Sequence, residues 1–367
     1  MIDLKNTDLF TPYTHPDSGV TSYLLTRRVA PSQQSFYFVN DGMTIDGRYL
    51  WFYCGHPPAM ERTLGVVDFS TGQMHHFPET QFKAASPWVD PATGEVYWGT
   101  GFELWKRSPD PREPAVLVNA LPTEWLGDRP VRSLTTHLTR SADGREFFVD
   151  AIVGLQFLFG SLPLDGSPGY LWHRFDRYYN HAQFSPTDPD EILFAEENHP
   201  DPLTGIHIPH KNRLWTMRRG EKPRPIITGI TGLTHEWWDA DGKHAWAVLG
   251  DETWRVRVAD GEIEKIAFPR HCWHSFSSRN GRWIVGDSNT RFFRGCPSTV
   301  HFLDRDQGTP VTIMENPGRD DHIGKHYHID PHPRLCGGER YIVHTTTVRG
   351  MVDVAITETA GLSGAAS

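Results

Sequence analysis

The sequence predicts an all-β fold, a seven-bladed β-propeller. Three observations carry that prediction: a turn-plus-strand unit recurs along the chain, turn-forming residues are abundant, and a 3.6-residue apolar period is almost absent. The 367 residues include 33 Gly, 28 Pro, 13 Trp and 20 His, a balance that suits many short strands joined by turns.

The recurring unit is a turn ending in Gly or Asp followed by a six-residue apolar run rich in aromatics. Its copies are DG-RYLWFY (48–53), TG-EVYWGT (95–100), DG-REFFVD (145–150), PD-EILFAE (191–196), DG-KHAWAV (243–248), NG-RWIVGD (282–287) and GG-ERYIVHT (339–345). The last turn residues are Gly47, Gly94, Gly144, Asp190, Gly242, Gly281 and Gly338, a mean period of about 48 residues, as four-stranded blades require. Second hairpins follow in LGVVDFSTGQMHHF (64–77) and TWRVRVADGEIEKIAF (253–268). Residues 1–19 read as an N-terminal extension, 20–358 as one propeller and 359–367 as a disordered tail. The strand VTSYLLTRRV (20–29) is expected to enter the last blade beside MVDVAIT (351–357) and close the ring. Two packed β-sandwiches would not demand so regular a repeat.

A net charge of -9, from 36 basic and 45 acidic residues, argues against affinity built on nucleic-acid phosphates or anionic lipid. No run approaches the roughly 20 apolar residues that span a bilayer. The four cysteines (Cys54, Cys272, Cys296, Cys336) form no C-x-x-C pair, and MIDLKNTDLFTPY has neither a basic nor an apolar leader region. The reading is a reduced, cytoplasmic protein with a small ligand, its oligomeric state open.

In each repeat the strand before the turn is the innermost and lines the channel. Counting back seven residues from the turn glycine finds Asn40, His137, His235 and His274. His181 precedes Asp190 by nine and His332 precedes Gly338 by six. One buried histidine is more often a hydrogen-bonded core residue than a ligand, but five near one register form a ring that points to a site. In GKHYHIDPHPRL (324–335) His326, His328, Asp330 and His332 share one strand face. Residues six apart lie about 20 Å apart at 3.3 Å per residue, so the four cannot serve one ion. Imidazole with carboxylate fits a borderline divalent cation. The pair Trp237 and Trp238 reads first as blade packing and second as a sugar platform. THEWW (234–238) lacks the second histidine of H-E-x-x-H, and there is no G-x-S-x-G elbow and no P-loop.

NHAQFSPTDPDEILFAEE (180–197), NRLW (212–215), THEWWDADG (234–242), CWHSFSSRNGRWIVGD (272–287) and DPHP (330–333) resemble, in order, the landmarks of oligogalacturonate lyases, polysaccharide lyase family 22. SFYFVNDGMTIDGRYLWF (35–52) resembles that family's first blade. The resemblance implies β-elimination from short uronate oligosaccharides, with a divalent metal, manganese first and Ca, Zn or Ni as alternatives. By motif, His235 matches the catalytic base, Arg213 the active-site arginine, and His274 and His332 metal ligands. The family's Q-x-x-H-P-H-P reads Tyr327-His328-Ile329-Asp330-Pro331-His332-Pro333 here. Asp330 thus replaces a histidine and Tyr327 the glutamine, with His328 as a possible substitute ligand. His181, His137, Tyr178, Arg174 and Tyr327 are candidate contacts to an acidic oligosaccharide. Tyr178, Tyr179 or water is the candidate proton donor. A non-catalytic sugar- or protein-binding propeller, and a metal-assisted hydrolase or lactonase, are the alternatives.

Overall fold

A computed structural model describes residues 3–83, 86–201, 203–268, 272–288, 297–317 and 329–363. Seven blades surround one axis. Blade 1 comprises Ser32–Gln34, Tyr49–Gly55, Arg62–Asp68 and Gln73–Phe82, hydrogen-bonded in that order. Blade 2 runs from Trp88–Val89 to Val116–Ala120. Blade 3 has a broken inner strand, Val131–Ser133 and Thr139–Arg140, with both pieces on Glu146–Val153. Blade 4 starts with Tyr179–Phe184 and Glu191–Glu196, blade 5 with Thr234–Trp238 and His244–Leu249, and blade 6 with Cys272–Ser277 and Trp283–Ser288. In blade 4 a small hairpin, His199–Pro200 with His207–Ile208, interrupts the blade before its third strand, Leu214–Arg218.

Blade 7 closes the ring as expected. Arg334–Cys336, Tyr341–Thr346 and Asp353–Glu358 come from the C-terminal end, and Thr21–Leu25 adds to them with Ser22 opposite Thr357 and Leu24 opposite Ala355. Two boundaries differ from the sequence reading. Phe10–Thr14 is a fifth strand of this sheet, Phe10 opposite Leu25; its alternating exposure is that of an edge strand, which a search for fully apolar runs overlooks. At the other end, Leu362 is 4% exposed and packs between blades 6 and 7, so the ordered chain passes 358.

The turn glycines of the repeat explain its regularity. Gly47, Gly94, Gly144, Gly242, Gly281 and Gly338 all adopt φ between +65° and +82°, a region that side-chain-bearing residues enter only at a cost. Each second strand is buried on both faces, as in YLWFYCG and EILFAE, which is why it reads as a continuous apolar run. Seven apolar clusters fill the seven blade-to-blade interfaces. Trp237 stacks on Trp246 at 5.7 Å and 2°, so its role is packing between blades 5 and 6. With the core divided into wedges, the axis is left to polar groups.

Candidate functional site

The inner strands bend at the histidine register. Pairing slips by one residue between Asn180 and Gln183, Thr234 and Trp237, and Cys272 and Ser275. These are bulges, which re-aim a side chain out of the ladder. His181 and His235 sit in two of these bulges with φ of 54° and 52°, and His332, just ahead of the inner strand of blade 7, has a φ of 46°. Left-handed backbone at a non-glycine residue costs about 1–3 kcal/mol and clusters at functional sites. The chain accepts that cost three times around one channel.

On one side of the channel His274, Asp330 and His332 are all buried, with one potential ligand atom from each within 4.8 Å of the others. The His274 and His332 rings are 4.3 Å apart, and the His235 ring is 4.2 Å from that of His274. Asp287, fully buried, accepts the His274 amide at 2.9 Å and faces Nδ1 of the same residue at 3.0 Å from each carboxylate oxygen. It also accepts the His332 amide at 2.9 Å. A carboxylate on Nδ1 fixes the tautomer that directs Nε2 toward a metal, the usual support for a ligating imidazole. Two imidazoles and one carboxylate so supported fit a divalent ion. His328 and Tyr327 lie outside the described residues.

Facing this cluster is an ion-paired group built on blade 4. Arg213, 4% exposed, donates from Nε to Glu236 at 2.9 Å and from Nη1 to Glu197 at 2.6 Å. The other Glu236 oxygen meets His181 Nδ1 at 3.0 Å. Burial pushes the Glu236 carboxyl up, but Arg213 and the His181 hydrogen bond outweigh it and hold it down at about 2. Arg213 is therefore no lone cation: two carboxylates balance it, one sealed in and one 24% exposed at its side chain.

His137 is fully buried against His181, with ring centroids 5.6 Å apart, and neither ring nitrogen has a hydrogen-bond partner among the described residues. Burial, followed by the His181 charge, lowers it to about 3, so it is held neutral. Tyr178 is half-buried beside the same strand, its hydroxyl accepting from Asn180 Nδ2 at 3.2 Å. Tyr179 is instead packed among Phe175, Phe194 and Trp215. Arg174 does not join the site. It pairs opposite Leu158, whose side chain faces blade 2, and its Nη1 donates to Gln156 at 3.0 Å.

The residues that the sequence reading did not single out are Tyr37, Glu236, Asp287 and Glu197. Tyr37 belongs to a segment that leaves the inner strand of blade 1 and crosses the channel. Ser35 bonds to Thr345, the Phe38 carbonyl accepts from Arg334 at 2.7 Å, and Asn40 Nδ2 donates to the Leu138 carbonyl at 2.8 Å. The Tyr37 ring lies 5.0–6.0 Å from those of His332, His137, His274 and His181. Burial and then the Glu236 charge push its phenol well above the ordinary range, so it keeps its proton. Asp287 had a signal: it stands six residues after its turn glycine, as do Tyr53 and Asp150. Tyr53 bonds to Ser86 of blade 2, and Asp150 to the Thr136 amide and the Ala182 amide of blade 4. At that register each side chain ties one inner strand to the next.

No protein-family model matches the sequence, and no curated protein matches it. Among solved structures, an oligogalacturonate lyase in complex with manganese superposes with a TM-score of 0.74 at 16% identity, covering 95% of this chain and 96% of the other. An oligogalacturonate lyase from Vibrio parahaemolyticus gives 0.76 at 16%, with the same coverage. The β-propeller domain of Cps50 (Swd1) from Myceliophteria thermophila gives 0.56 at 11%, covering 91% and 99%. The resemblance to the lyases is one of structure along nearly the whole chain.

Proposed function

We propose that the chain is a metal-dependent lyase that cleaves short uronate oligosaccharides by β-elimination. One observation carries the reading: His235, a buried base, stands 4.2 Å from a ring of the His274, Asp330 and His332 cluster in a propeller of the lyase architecture. Those three residues would hold a divalent ion, manganese first, whose charge would offset that building on the substrate carboxylate as the neighbouring carbon loses its proton.

His235 takes the C5 proton, the C4–O4 bond breaks as C4=C5 forms, and the leaving O4 receives a proton. Imidazole exchanges protons near neutral pH, and general acid–base help of this kind contributes roughly 10²–10⁴-fold. Tyr37, whose protonated phenol ring lies 5.0–6.0 Å from the rings of four channel histidines, is a candidate donor to O4. Arg213 adds positive potential, tempered by Glu236 and Glu197.

The test is a panel of uronate oligosaccharides supplied with Mn²⁺, with and without chelator, read by the ultraviolet absorbance of the 4,5-unsaturated product. Absorbance gain that chelator abolishes is expected. Saturated products would favour a hydrolase, and binding without turnover a non-catalytic propeller.

A further inference from the structure

Beside the channel, between blades 3 and 4, lies a cavity of about 280 Å³ walled by Arg132, Ile152, Leu155, Phe157, Tyr178 and His199. Three of these rings cluster: Phe157 and Tyr178 are 5.2 Å apart and tilted by 32°, and His199 meets both edge-on at 6.0 and 6.2 Å. Arg132 is exposed at this wall and makes no ion pair among the described residues, whereas Arg177 and Arg213 close by are both paired to carboxylates.

Tyr178, in the wall of the cavity, is tied by hydrogen bonds to the Arg213 group of the channel. The Tyr178 carbonyl accepts the Glu197 amide at 2.9 Å, and Glu197 pairs with Arg213 at 2.6 Å. His181 follows Tyr178 by three residues, on the inner strand of blade 4. A ligand spanning the two must therefore be extended and continuous. Its far end must offer an apolar face to the rings and an anion to the Arg132 guanidinium. A pyranose ring bearing a carboxylate meets both demands. Aromatic rings alone would suit any apolar group, so Arg132 selects the acidic sugar.

We infer that this cavity is a second subsite for one further uronate residue of the oligosaccharide, its ring against Phe157 and Tyr178 and its carboxylate on Arg132. The inference rests on the lyase reading for the identity of the chain but makes its own prediction, a preference for length. A trisaccharide fills the channel and the cavity, and a shorter chain leaves the cavity vacant.

Arg132→Gln and Phe157→Leu test it, the first at an exposed position that folding does not need. With Mn²⁺ present, the ratio of kcat/KM for trigalacturonate to that for digalacturonate should fall about tenfold in Arg132→Gln, the worth of one charge-assisted hydrogen bond. In parallel, tryptophan fluorescence follows trigalacturonate binding in chelator, where no turnover occurs, and the Kd should rise by the same factor. An unchanged length ratio, an unchanged Kd or no binding by the wild type overturns the subsite. Absent turnover with a tenfold weaker Kd overturns the lyase reading and keeps the subsite.

Discussion

Asp287 of blade 6 holds His274 by its ring nitrogen at 3.0 Å and His332 by its amide at 2.9 Å. One carboxylate thereby sets the orientation of two donors from different blades. Asp287→Asn keeps the shape and removes the charge that fixes the His274 tautomer. Mn²⁺ affinity, measured by calorimetry, is expected to fall 10–100-fold, as for lost outer-shell partners generally.

Arg213 between Glu236 and Glu197 yields a stability prediction. Removing the guanidinium in Arg213→Ala strands the fully buried Glu236, and breaking a buried pair in this way costs about 3–5 kcal/mol. Chemical denaturation should show that loss. Arg213→Ala with Glu236→Gln should recover part of it, because no charge is then left sealed in.

Acid sensitivity follows from the buried histidines. Burial lowers His137 to about 3 and His344 to about 4 from an ordinary value of 6.5. The unfolded chain therefore binds protons that the folded chain refuses. Their stabilisation is complete above pH 6.5 and is lost as pH falls from there toward the folded values. Each contributes a slope of roughly 1.4 kcal/mol per pH unit in that window. Urea midpoints between pH 7 and 4 should fall steeply, and His344→Phe should flatten the curve.

Tyr37→Phe removes a hydroxyl and keeps the ring that touches four histidines. If its proton goes to the leaving oxygen, kcat should fall about 10²-fold with substrate Kd unchanged. A variant with wild-type kcat returns that role to water.

The histidine register was legible in the sequence because a left-handed turn glycine marks where each inner strand has ended, and counting back from it locates His137, His235 and His274. What counting missed has definite causes. Tyr37 lies on a segment that departs from the repeat to cross the channel, so no period predicts it. Asp287 hides inside an apolar second strand, where a lone carboxylate looks like a strand end. Glu236 follows His235 in THEWW, and only the bulge between Thr234 and Trp237 turns both from the regular ladder. Arg174 was misplaced because strand alternation sends it to the face opposite Phe157.

Blade 7 is stitched from both ends of the chain, residue 22 beside residue 357. Contacts so distant in sequence form late and slowly. During synthesis the Thr21–Leu25 strand must wait, its edge open, until Asp353–Glu358 emerges. The channel groups, spread from Tyr37 to His332, can converge only after nearly all the chain has left the ribosome, so a nascent or prematurely stopped chain would carry an incomplete channel.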